Sequence, residues 1–115
     1  MAGVVRFEEY RVRRRKGTAA VYFSRHELDQ LLSLYSRRVA SGEWRDYAID
    51  HGGGWALFSV FRHSYDRPLF SVAKRLRPDN RTLEFLLLTG QRQLAADSKL
   101  SILLKRFEKQ IRVVS

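Results

Sequence analysis

The sequence predicts an α+β fold, an antiparallel meander of four to five strands with two amphipathic helices packed on it. Three observations carry this. Leu28, Leu31, Leu32, Tyr35 and Val39 recur at helical spacing, and so do Leu100, Leu103, Leu104, Phe107, Ile111 and Val114. Between these two stripes the chain breaks into short apolar or alternating runs bounded by Gly, Pro, Asn and Asp. Consecutive strands with short turns pair antiparallel, and the helices then bury their stripes against the sheet. The predicted order is β-α-β-β-β-β-α.

Residues 1–17 read as a basic flexible arm and residues 18–115 as a single α+β domain. Arg11, Arg13, Arg14, Arg15 and Lys16 repel one another, which favours an extended, solvated segment. Thr18 to Phe23 (TAAVYF) has the β-branched and aromatic content of a short strand. Ser24 with Glu27 three residues on is a capping box, which predicts a helix over about 25–41. Gly42 stops it, because glycine enters the left-handed region without steric cost.

A hairpin follows. Arg45, Tyr47 and Ile49 alternate with Asp46, Ala48 and Asp50, then His51-Gly52-Gly53-Gly54 supplies a permissive reversal. Trp55 to Arg62 is apolar on both faces, as a central strand is. The expected register sets Tyr47 opposite Phe58 and Ile49 opposite Ala56. Pro68 opens a third strand, whose far end carries Lys74, Arg75 and Arg77. Pro78-Asp79-Asn80 is a turn by chemistry. Thr82 to Thr89 is a fourth strand, Gln91 to Ala95 a short fifth, and Asp97 or Ser98 caps the closing helix.

The balance of charge bounds the function. Lys and Arg number 22 against 12 acids in 115 residues, a net charge of +10. Such a chain attracts polyanions at long range. With no cysteine there is no disulfide, thiolate nucleophile or thiolate metal ligand. No apolar run approaches the roughly 20 residues that span a bilayer, and the N-terminus lacks the charge order of a secretory signal. A cytoplasmic setting is the expectation.

The run SGEWRDYAID at Ser41 to Asp50, FSVFR at Phe58 to Arg62 and RPLF at Arg67 to Phe70 resemble a short bacterial family classed as a domain of unknown function. Leu31-Leu32-Ser33-Leu34-Tyr35 is similar to it too, so the likeness covers about Ala20 to Phe70. The resemblance implies one domain and a bacterial cytoplasmic protein without recognised enzymatic motifs. It lends no catalytic or binding role to any residue.

Catalytic and metal readings are poor. Of the polar set Asp46, Asp50, His51, His63 and Asp66, Asp50 and His51 sit in one predicted turn and His63 and Asp66 in the next. A strand of eight residues separates the two turns by roughly 25 Å, too far for a metal or a general-base pair. Gly52-Gly53-Gly54 joins two strands rather than a strand to a helix, so it lacks the helix dipole of a phosphate loop. Ser24, Ser33 and Ser36 have no nucleophile-elbow context. No enzymatic activity, metal or cofactor is expected.

The leading expectation is a nucleic-acid-binding module dominated by phosphate contacts, with RNA or single strands favoured because no groove-reading motif is visible. Arg11, Arg13, Arg14, Arg15 and Lys16 form its arm. Lys74, Arg75, Arg77 and Arg81 form a basic sheet edge, and Lys105, Lys109 and Arg112 a helical face. Trp44, Trp55 and Phe61 mark a sheet face able to stack bases or to hold a partner. The alternative is a protein-interaction or homodimeric accessory module that uses this apolar face. The closing helix spends its stripe on the sheet, so membrane insertion is not expected.

Overall fold

The computed structural model describes residues 20–63, 67–79 and 81–114, with side chains described to residue 109. Among these residues it forms α1 (Arg25–Ala40), β1 (Asp46–Gly52), β2 (Trp55–Phe61), β3 (Phe70–Leu76), β4 (Leu83–Thr89), β5 (Arg92–Asp97) and α2 (Leu100–Val114). The sheet is an antiparallel meander in the order β1-β2-β3-β4-β5. The α+β class and the meander are those the sequence predicts. The first predicted strand is not formed in its described part: Ala20 makes one isolated bridge to Gly53.

Local chemistry sets α1 as expected. The Ser24 hydroxyl accepts from the Glu27 amide at 3.1 Å, and the Ser24 amide donates to Glu27 Oε1 at 2.7 Å. At the other end Gly42 has φ +80°, and the amides of Gly42 and Glu43 donate to the carbonyls of Val39 and Arg38. That is a Schellman motif, which satisfies carbonyls the last helical turn leaves open. The buried stripe is rotated from the predicted one: Leu31 and Leu34 are its centre, while Val39 is 40% exposed.

Both helices lie on one face of the sheet. Leu31, Leu34, Leu100, Leu103, Leu104 and Phe107 pack with Ala56, Phe58, Val60, Val72, Phe85 and Leu87 in one core. The opposite face has its own small cluster, Ala73, Leu86 and Leu88 with Leu57 and Ala96. Trp44 belongs to the helix side: it is 3% exposed and stacks on Phe107 at 5.6 Å and on Tyr35 at 6.2 Å. The sequence had set it at the edge of the other face. It lies instead in the connection from α1 to β1, where it closes the end of the core.

The β1–β2 register differs from the expected one by two residues. Tyr47 pairs with Val60 and Ile49 with Phe58. The cause is a tighter turn, since Gly52 pairs with Trp55 and only Gly53-Gly54 reverse the chain. A shift of two keeps every side chain on its face, so Tyr47 still stacks on Phe58, at 5.6 Å. With Gly52 and Trp55 closing a two-residue turn, the amides of Tyr47, Ile49 and His51 point away from β2 along the open edge. Asp46 Oδ1 accepts from Tyr47 N at 2.8 Å and Asp50 Oδ1 from His51 N at 2.9 Å. The two aspartates thus occupy donors with which another strand would pair.

Candidate functional site

The predicted basic sheet edge does not exist as one surface. β3 is the third of five strands, so Lys74 and Arg75 point to opposite faces. Lys74 faces the helices and is 8% exposed; its Nζ donates to Glu27 Oε1 at 2.8 Å and to the Tyr22 carbonyl at 3.0 Å. It ties the first turn of α1 to the sheet and is spent there. Arg75 lies on the helix-free face, where its Nε donates to Glu84 Oε1 at 2.7 Å. Arg77 Nη2 reaches Glu84 Oε2 at 3.3 Å, so both arginines share one carboxylate.

Arg81 is exposed in the β3–β4 turn, beside a carboxylate with its own local partners. Asp79 Oδ1 accepts from the Arg81 and Thr82 amides at 2.9 and 3.0 Å. Bonds from the Thr82 and Arg81 amides, then the Thr82 hydroxyl, hold the Asp79 carboxyl below its ordinary range. Lys105 and Lys109 are exposed on α2, one helical turn apart. Arg11, Arg13, Arg14, Arg15 and Lys16 lie outside the described residues, as does the side chain of Arg112.

The stacking face is also rearranged. Trp44 is on the helix side, as above. Trp55 is on the helix-free face but 1% exposed, with its indole over Gly52. A Cβ on Gly52 would come within 2.8 Å of that ring, so glycine is required for this packing. Phe61, half-buried at the far end of β2, is the member of the predicted trio with accessible ring surface.

The register assembles a different basic surface. The β2–β3 and β4–β5 turns lie at one end of the sheet, together with the start of β1. Arg45, Arg62, Arg67 and Arg92 all stand there, all exposed. Backbone bonds fix the row: Arg45 N donates to the Phe61 carbonyl at 2.8 Å and Leu69 N to the Val60 carbonyl at 2.8 Å. Thr89 Oγ1 adds a bond to the Leu69 carbonyl at 3.1 Å. Among the described residues, none of the four guanidinium groups has an ion pair or hydrogen bond.

Both helices run toward this arginine end. α1 starts at the Lys74–Glu27 pair and ends near Trp44, while α2 passes Phe70 with Phe107, ring centres 4.8 Å apart. Lys109 follows on the exposed side of α2. Among the described residues, Asp46 beside Arg45 accepts from the Tyr47 amide, and two other acids here are held by other cations. Arg37 meets Glu108 at 3.1 Å and Arg38 meets Glu43 at 3.0 Å. Bonds from the Ser41 hydroxyl and then from Arg38 hold the Glu43 carboxyl below its ordinary range. Tyr35 is shifted the other way, upward, by burial and then by the nearby Asp46 and Tyr47.

Sequence reading missed this row because its arginines come from three separate stretches of chain, Arg45 before β1, Arg62 and Arg67 in the β2–β3 turn, and Arg92 at the start of β5. The signal was present only in combination: meander topology puts alternate turns at the same end, and those turns carry the arginines.

Other candidate chemistry is sparse. Asp50 and His51 lie at the hairpin end and His63 at the arginine end, while Asp66 is outside the described residues. Among the described residues, no three His, Cys, Asp or Glu side chains gather to hold a metal. An apolar cavity of about 90 Å³ between Tyr22, Phe23, Leu28, Ile49, His51 and Ala56 is well below the roughly 300 Å³ of small-molecule pockets. Among the described residues, no helix is long and apolar enough to cross a membrane.

No curated protein and no solved structure matches this chain. A family profile described as protein of unknown function (DUF2794) matches residues 21–99, which reaches past the expected likeness to take in all five strands. The chain belongs to that family of proteins of unknown function, DUF2794.

Proposed function

We propose that this protein is a non-enzymatic module that binds nucleic acid through its phosphates, RNA or single strands in preference to duplex DNA. The observation that supports this reading is the row of Arg45, Arg62, Arg67 and Arg92, exposed and without an acidic partner among the described residues. Five strands about 4.8 Å apart make the row about 19 Å long. That length accommodates several phosphates of one extended strand. Guanidinium groups suit phosphate because they present paired donors in a plane. Phe61, on the last residue of β2, offers one ring for a base to stack on.

The preference for single strands follows from shape. Both helices have their apolar stripes on the sheet, so neither projects as a recognition helix for a major groove. Lys105 and Lys109 extend the cationic surface along α2 and would set affinity rather than sequence.

Fluorescence anisotropy with labelled single-stranded RNA, single-stranded DNA and duplex DNA across a salt series tests the reading. Binding should weaken steeply with salt, because each phosphate contact releases counterions. A variant with Arg45→Ser, Arg62→Ser, Arg67→Ser and Arg92→Ser should lose about 3 units of log–log salt slope on single strands, at roughly 0.7 per contact. Wild-type binding no tighter than that of an unrelated protein of equal net charge would overturn the reading. So would a quadruple variant with an unchanged slope.

A further inference from the structure

The arginines of the row are not evenly spaced. Asp46 and Phe61 form the last pair of the β1–β2 ladder, so Arg45 and Arg62 are the next residues outward on neighbouring strands. The Arg45 amide donates to the Phe61 carbonyl at 2.8 Å, which keeps the two chains together there. One strand spacing, about 4.8 Å, therefore separates their backbones. Arg67 stands before β3, the end of β4 at Thr89 and Gly90 carries no arginine, and Arg92 opens β5. The row is densest at the β1 margin, where the sheet stops.

Two like charges placed across neighbouring strands destabilise a sheet. Among the described residues, neither guanidinium has an acidic partner to offset this. Asp46 Oδ1 accepts from the Tyr47 amide at 2.8 Å, and Glu43 is held by Arg38 and the Ser41 hydroxyl. We propose that Arg45 and Arg62 together bind the terminal phosphate of a single strand, whose chain then runs along the row toward Arg92. This rests on the nucleic-acid reading above and adds the feature of the ligand that the site selects.

The chemistry of the two kinds of phosphate decides between an end and an interior position. An internal phosphodiester carries one charge and two free oxygens, which one planar fork of paired donors fills. A phosphomonoester carries close to two charges and three free oxygens, so it accepts two forks and balances two cations. Side chains as long as arginine, starting one strand spacing apart, converge on such a group. The position also suits an end, because β1 is the edge of the sheet and the rest of the row continues to one side of it. Phe61, half-buried and next to Arg62 in the chain, stands beside this pair for the terminal base.

The 5′ and 3′ ends offer the same chemistry, and one assay separates them. A short internally labelled RNA is made with hydroxyl ends, with a 5′-phosphate or with a 3′-phosphate, and its binding to the full-length chain is followed by anisotropy. A phosphate at one of the two ends should tighten binding about tenfold, the scale of one added charge-assisted hydrogen bond. Arg45→Ser and, separately, Arg62→Ser should abolish that gain. Arg62→Lys should lose most of it, because an ammonium keeps the charge but not the planar fork. Arg92→Ser should weaken binding of all three RNAs alike and keep the gain. A gain below about twofold at both ends, no more than an extra charge brings on a basic surface, would overturn this inference while the hydroxyl-ended RNA, still bound, leaves the nucleic-acid reading standing. A gain that survives in Arg45→Ser and Arg62→Ser, or that Arg92→Ser removes as fully, would overturn it too, since added charge alone would then explain it. If none of the RNAs binds, both fall.

Discussion

The two ends of the sheet carry similar numbers of cations and use them in opposite ways. At the hairpin end Lys74 is held by Glu27, Arg75 and Arg77 by Glu84, and the β3–β4 turn is tied by Asp79. At the other end Arg45, Arg62, Arg67 and Arg92 stand in or beside turns, exposed and without acidic partners among the described residues. A cation that is desolvated needs a compensating charge. One that stays in water does not, and its field is available to an external anion. Charge at the first end should therefore register in folding, and charge at the second in binding.

The largest effect should come from neutralising the arginine end. The quadruple serine variant is expected to bind single strands about 100-fold to 1,000-fold more weakly at low salt. Its urea midpoint should hardly move, since exposed substitutions away from packed features cost about 0.5 kcal/mol or less each. A large fall in stability instead would mean that these arginines have structural partners and would erase the contrast between the ends.

Lys74→Met should show the converse. Removing one member of a largely buried pair strands Glu27 against the sheet. Complete burial would cost about 3–5 kcal/mol; with side chains 10% and 18% exposed, about 2–3 kcal/mol is expected in equilibrium denaturation. Nucleic-acid affinity should be nearly unchanged. If affinity drops in step with a preserved fold, Lys74 does reach ligand and the division fails.

Gly52→Ala probes the hairpin end by packing rather than charge. The added methyl meets the Trp55 ring, and overpacking of this kind costs about 1–3 kcal/mol. Thermal unfolding should report the loss, and Gly42→Ala, which meets nothing within 4 Å, isolates the contribution of backbone strain at positive φ.

The smallest effect is that of Asp79→Ala. Its carboxyl is lowered in the folded state by the Thr82 and Arg81 amides. The stabilisation is therefore complete above the ordinary carboxylate range and is lost as pH falls through the lower folded-state value. The stability difference between wild type and Asp79→Ala should be constant near neutrality and shrink only on acidification. A difference that grows in acid would contradict the hydrogen-bond origin of the shift.

What the sequence by itself determined is what neighbours along the chain decide. The capping box at Ser24 and Glu27, the stop at Gly42, the turn at Asp79 and the alternation of the strands are all satisfied within a few residues, and all were legible. The stripe of α1 was nearly so, because periodicity gives the face but not its centre; which of Leu34 and Val39 is buried depends on the sheet beneath. Tertiary structure alone decided the rest. Whether Lys74 is a surface cation or a buried tie depends on β3 being a central strand, with Lys74 on its helix side. Trp44 and Trp55, both plausible stacking residues in the sequence, are separated onto opposite sides of the sheet by the connection from α1 and by the two-residue hairpin. The arginine row exists only because a meander returns alternate turns to the same end, bringing together residues that have no pattern along the chain.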